Sequence, residues 1–137
     1  MIGILIVSHK DFGVACLNLV EHVFEGCSLE HVRFLSIGGE DDIELMKMRA
    51  RKLRDEIDFG FGVIMLNDLL GASPFNICKH MIDAQTVLLT GANAPMVIRA
   101  VHYGKKSTNL QKLFEDTKKA AYDGIVGLTI NNLDQYD

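Results

Sequence analysis

The sequence predicts an α/β fold, a doubly wound three-layer sandwich in which a mainly parallel sheet is covered by helices on both faces. Two observations predict it. Short continuous apolar runs, the mark of strands buried on both sides, alternate along the chain with stretches whose apolar residues repeat at helical spacing. The intervening segments are also long enough for right-handed crossovers between parallel strands. No repeat, low-complexity segment or linker interrupts the pattern, so the 137 residues are expected to form a single domain over 1–137.

Met1–Val7 is a continuous, β-branched apolar run and reads as a strand buried on both faces. Ser8–Gly13 breaks it. From Phe12 to Phe24 the residues Phe12, Ala15, Cys16, Leu19, Val20 and Val23 recur at helical spacing. His31–Ile37 is the second strand, closed by Gly38-Gly39, and Ile43, Met46, Ala50, Leu53 and Ile57 mark one face of the next helix. Phe61–Leu66 is the third strand. Asn67–Ser73 is a loop, and Pro74 opens a helix with Ser73 as its cap, running to about Met81 or Ala84. Thr86–Leu89 is a fourth strand, and Thr90–Ala94 is a small-residue turn before a helix starting at Pro95. Asn109–Tyr122 is an amphipathic helix with Leu110, Leu113, Phe114 and Thr117 or Ala121 inward. Gly124–Ile130 reads as a last short strand, and Asn131–Asp137 as a polar tail.

Composition narrows the function. Apolar residues make up 48% and charged residues 23%, which excludes a disordered tail. Lys plus Arg is 14 against 18 Asp plus Glu, a net charge of -4, which argues against nucleic acid because no cationic excess displaces phosphate counterions. Anion binding stays open, since backbone N–H groups need no charged side chain for it. Cys16, Cys27 and Cys78 form no CxxC pair, consistent with a reducing, cytoplasmic setting. The opening apolar run is too short for a signal peptide or a membrane span.

Open parallel sheets bind ligands beyond the carboxyl ends of their strands, where strand order reverses. That rule selects Ser8–Gly13, after the first strand, and Asn67–Pro74, after the third. His9 stands at the first strand tip, where an imidazole with one bare ring nitrogen is a competent nucleophile. Asp68 would accept a hydrogen bond from the other ring N–H and balance the charge of a cationic ring. The Ser73 hydroxyl and the N–H groups opening the Pro74 helix would hold a phosphoryl group. On position alone, the readings in which His9 merely ends a strand and Asp68 merely caps a turn stay open and are favoured.

Other signals lead nowhere specific. His22, His31, His80 and His102 stand in helices or at element ends, and no HExxH or ligand spacing points to a metal. Lys105-Lys106-Ser107 lacks the glycine frame of a phosphate-binding loop, and no GxGxxG follows the first strand. Asp11 lacks the acidic pocket of a response regulator. The Arg49–Glu56 run is a solvated helix face or, failing that, a docking surface.

Taken together, Ser8-His9 and Asn67-Asp68-Leu69-Leu70-Gly71-Ala72-Ser73-Pro74-Phe75-Asn76 resemble the enzyme IIA domains of the mannose/fructose/sorbose class of the bacterial phosphoenolpyruvate-dependent sugar phosphotransferase system. Gly91-Ala92-Asn93-Ala94-Pro95-Met96 is similar to the segment before that family's next helix. The resemblance implies four parallel strands plus a short C-terminal antiparallel strand, and a homodimer in which Gly124–Ile130 supplies an exchanged edge. It implies that His9 takes a phosphoryl group from the phosphorylated histidine-containing carrier protein and passes it to a IIB component. Asp68 would orient the imidazole, and Ser73 would hydrogen-bond the phosphoryl oxygens. No metal and no organic cofactor is implied, and the membrane is met only indirectly, through the IIC/IID permease.

Three positions depart from the family's pattern. Lys10 stands where a small residue is common after the histidine, Ala72 where the mannose transporter's domain has a second glycine, and Leu70 where it has a tryptophan. Other readings of the same residues are a IIA-like regulatory phosphoprotein, the phosphoryl-donor subunit of a dihydroxyacetone kinase, and a non-catalytic α/β binding domain.

Overall fold

Consecutive apolar residues along a strand project to opposite faces, so a run such as Ile4-Leu5-Ile6-Val7 forces a covered surface on each side. In the computed structural model, which describes residues 1–136, all four of these side chains are completely buried. The elements run β1 (Gly3–His9), α1 (Phe12–Val23), β2 (Val32–Ile37), α2 (Ile43–Glu56), β3 (Val63–Asn67), α3 (Ser73–Lys79), β4 (Thr86–Leu89), α4 (Ala94–Gly104) and α5 (Leu110–Asp123). A 3-10 helix, Leu133–Tyr136, follows.

The sheet is parallel throughout, in the order β2-β1-β3-β4. Ile4, Ile6, Ile64, Leu66 and Leu89 face one core, covered by Cys16 and Val20 of α1, Met96, Val97, Ala100 and Val101 of α4, and Leu113 and Ala121 of α5. Leu5, Val7, Leu35, Ile37, Val63 and Met65 face the other, covered by Met46 and Ala50 of α2 and by Ile77 and Cys78 of α3. That is the three-layer, doubly wound arrangement. Side-chain caps start several helices. Asp42 accepts from Glu44 N–H and Leu45 N–H, Asn93 from Met96 N–H, and Asn109 from Lys112 N–H.

Several details differ from expectation, and α3 ends at Lys79 rather than near Met81 or Ala84. β1 extends two residues beyond Val7, through Ser8 and His9, because both pair with the end of β2 (Ser8 with Ser36, His9 with Ile37). Ser73 does not cap α3. Ala72 is the cap residue, with extended backbone and no side-chain hydrogen bond, and Ser73 is the first helical residue. The expected C-terminal antiparallel strand is not formed: Gly124–Ile130 leaves α5 as exposed irregular chain. A strand needs a sheet edge to take its N–H and C=O groups, and no such pairing joins this segment to the four-stranded sheet. Ile130 is 92% exposed as a result.

Candidate functional site

Strand order reverses between β1 and β3: the chain leaves β1 for β2 on one side, and β3 lies on the other. The register sets Val7 of β1 beside Asn67, the last residue of β3, and β1 runs on for two more residues. His9 ends β1 and Asp68 directly follows β3, so two residues 59 positions apart meet at the crevice.

Their contact is double. Asp68 Oδ2 accepts a hydrogen bond from the His9 backbone N–H at 3.0 Å, and lies 2.8 Å from the ring Nδ1. Asp68 Oδ1 accepts from the Leu69 N–H at 3.0 Å. A carboxylate only accepts, so in the neutral imidazole Nδ1 carries the proton and Nε2 has a bare lone pair, while in the imidazolium both nitrogens carry protons and the ring charge faces Asp68. The His9 side chain is 43% exposed and that of Asp68 only 11%, so the anchor is covered and the ring is open to partners. Burial by itself would raise the Asp68 carboxyl. The hydrogen bonds from the His9 backbone and ring, with the charge of that ring, outweigh burial and hold it below the usual carboxylate range.

Small residues bring the neighbouring backbone close. A Cβ on Gly13 would lie 3.3 Å from Ile6 Cγ2 and 3.4 Å from Ser8 Oγ, and the Gly13 N–H donates to that same hydroxyl. This fastens the first turn of α1 to the tip of β1. In the second loop Gly71 adopts φ +83°, a left-handed conformation that glycine takes without strain. Ala72 has φ -86°, so alanine fits there at no backbone cost. Leu69 and Leu70 are exposed at the rim. Ser73 is exposed on the first turn of α3, and its hydroxyl hydrogen-bonds neither His9 nor Asp68 among the described residues. No side chain caps the first N–H groups of that turn.

Several features of the site region are absent from any hydropathy pattern. Lys10 has φ +38°, and among the described residues it is the one non-glycine in the left-handed region, a conformation that costs a side-chain-bearing residue about 1–2 kcal/mol. Asn67, fully buried, has neither amide nitrogen nor oxygen paired, and Thr90 Oγ1 is likewise buried without a partner. His31, also fully buried, lies 2.8 Å from the Val101 carbonyl through Nε2. Of the remaining histidines, His102 stacks on Phe24 at 4.1 Å between ring centres, at the far end of α4. Among the described residues no three His, Cys, Asp or Glu side chains converge as metal ligands would. Neither the groove of about 470 Å³ beside Arg99 and Tyr103 nor that of about 440 Å³ beside Leu88 and Phe114 includes His9 or Asp68. The His9 ring itself is exposed to solvent. No helix among the described residues is long and apolar enough to cross a membrane.

Comparison with known proteins places the chain in a family. Residues 3–118 match the family described as PTS system fructose IIA component. Among solved structures, the phosphotransferase system component EIIA of Streptococcus agalactiae is 25% identical with a TM-score of 0.78, over 93% of this chain and 97% of that one. The mannose/sorbose specific IIA subunit of Enterococcus faecalis is 17% identical with a TM-score of 0.80, over 94% and 96%. The PTS IIA protein associated with the fucose utilization operon of Streptococcus pneumoniae is 24% identical with a TM-score of 0.75, over 91% of each. The last two likenesses are of fold. No curated protein matches the chain. With 116 of its 137 residues matched, between 3 and 118, the chain belongs to the PTS system fructose IIA component family and is a phosphotransferase component of the sugar phosphotransferase system.

Proposed function

We propose that the chain accepts a phosphoryl group on His9 Nε2 from the phosphorylated histidine-containing carrier protein and passes it to a IIB component. The observation that carries this reading is the double hold of Asp68 on His9, which commits Nδ1 and turns a bare Nε2 outward. In the transfer, the Nε2 lone pair forms the new N–P bond while the donor's N–P bond breaks and its electron pair returns to the donor imidazole. The His9 ring keeps its Nδ1 proton and becomes cationic, and the Asp68 carboxylate balances that charge. The Ser73 hydroxyl and the uncapped N–H groups of α3 donate to the phosphoryl oxygens. An exposed acceptor ring with exposed Leu69 and Leu70 in the neighbouring loop suits a protein substrate better than a sugar, which needs an enclosing pocket.

A second copy of the chain is the occupant we propose for the β4 edge. The Gly124–Ile130 segment is apolar and exposed, and the groove beside β4 is lined by Leu88, Leu89, Met96, Phe114 and Ile125. Both surfaces are covered if the segment pairs with a partner's edge.

The test is phosphoryl uptake from phosphoenolpyruvate, enzyme I and the carrier protein, read by intact mass. An acid-labile gain of one phosphoryl group that His9→Ala abolishes is expected; no gain from an active carrier refutes the reading. A phosphorylated chain that keeps its group in the presence of the cognate IIB component would instead indicate a regulatory phosphoprotein.

A further inference from the structure

Lys10 directly follows His9, is exposed, and forms no ion pair among the described residues. Its backbone is held in the left-handed region, φ +38°, with its N–H donating to the Ile37 carbonyl at 3.2 Å. A glycine would relieve that conformation, so a lysine kept there at a cost calls for an explanation in its side chain. Along a regular strand, neighbours project to opposite faces, which would send Lys10 away from the ring of His9. The left-handed residue breaks that alternation at the strand tip.

Charge gives the side chain its use. Lys10 is the one lysine or arginine in the two loops, residues 8–13 and 67–74, against the carboxylates of Asp11 and Asp68. Asp68 is committed to His9 and the Leu69 N–H, and Asp11 is the exposed cap residue of α1, with no side-chain cap hydrogen bond. A phosphoryl group on Nε2 adds further negative charge to this acidic corner. A compact ammonium on a flexible four-carbon stem, one residue from the acceptor, is the available counter-charge.

Building on the phosphocarrier reading above, we propose that Lys10 is a phosphoryl-binding residue, its ammonium pairing with the oxygens of the group carried on His9. It favours the phosphorylated state over the free one. That separates it from a residue that only steers the approach of a partner, which changes forward and reverse rates alike and leaves the equilibrium untouched.

The measurement is therefore the equilibrium constant for phosphoryl exchange with the carrier protein, in wild type, Lys10→Met, Lys10→Arg and Lys10→Gly. Lys10→Met keeps a side chain in the left-handed conformation but removes the charge, and is expected to shift the equilibrium toward the phosphorylated carrier by about tenfold. Lys10→Arg restores most of it. Lys10→Gly relieves the backbone, raising the melting temperature, yet behaves like Lys10→Met in the exchange. Equal equilibrium constants in wild type and Lys10→Met overturn the assignment of Lys10 and leave the phosphocarrier reading standing. A wild-type chain that takes up no phosphoryl group from an active carrier overturns that reading and this inference together.

Discussion

A single oxygen of Asp68, Oδ2, receives both the backbone N–H and the ring Nδ1 of His9, at 3.0 and 2.8 Å. One contact fixes where the strand ends, the other which ring nitrogen is bare. Removing the carboxylate should therefore change chemistry more than fold. Asp68→Ala is expected to slow phosphoryl uptake by about 10- to 100-fold, the worth of a charge-assisted hydrogen bond. Its circular dichroism should match wild type. Nitrogen-15 spectra should show His9 as the Nδ1–H form in wild type and as a mixture in Asp68→Ala. Unchanged uptake in the variant would remove Asp68 from the mechanism.

His31 sets an acid limit on stability. Burial lowers its pKa below the ordinary 6.5, against a smaller opposing effect of its bond to the Val101 carbonyl. The Nε2–H donates to that carbonyl, and Nδ1 is buried with no partner, so a second proton has no acceptor. Above pH 6.5 the ring is neutral in both folded and unfolded chains. Between the folded value and 6.5 the unfolded chain binds more protons, so stability falls as pH drops through that window. Asp68, depressed in the fold, adds a loss at lower pH, as it falls through the carboxylate range. Urea midpoints should decline from pH 7 to pH 5, and His31→Gln should flatten that slope.

Gly3 admits no side chain. A Cβ there would sit 2.2 Å from the Ile57 carbonyl oxygen and 2.9 Å from Ile57 Cγ1, so the end of α2 would have to move off β1. Gly3→Ala is expected to cost about 3 kcal/mol, at the upper end for overpacking, measured by urea unfolding. A cost below about 1 kcal/mol would mean the α2–β3 connection yields easily.

The exposed tail offers a test of association. Ile125 is 73% and Ile130 92% exposed. Light scattering should give a dimer mass, and Leu128→Asp with Ile130→Asp should give a monomer that remains folded. A wild-type monomer at every concentration would refute the second copy at the β4 edge.

Much of the architecture was legible because parallel strands buried on both faces leave unmistakable runs, such as Ile4 to Val7 and Val63 to Leu66. Ends were less legible, because backbone pairing rather than hydropathy decides them. Polar Ser8 and His9 belong to β1 since Ser36 and Ile37 lie beside them. Ser73 has the chemistry of a helix cap, yet the extended residue is Ala72, a matter of one dihedral that no side chain announces. Gly124–Ile130 has a strand's composition without a strand's neighbour. At the site, His9 and Asp68 followed from strand tips and a motif. The left-handed backbone of Lys10 and the burial of His31 did not, since the first is a property of the turn and the second depends on Val101, 70 residues away.

The parallel register of β1 on β3 also acts as an assembly check. Only when Val7 lies against Asn67 does the Asp68 carboxylate reach His9; a slip of one residue along either strand turns it to the other face of the sheet. Until that long-range pairing closes, the imidazole protonates at either nitrogen like that of any free peptide. On the proposed phosphocarrier reading, a nascent or misregistered chain is therefore a slow acceptor, and the current of energy from phosphoenolpyruvate favours finished molecules.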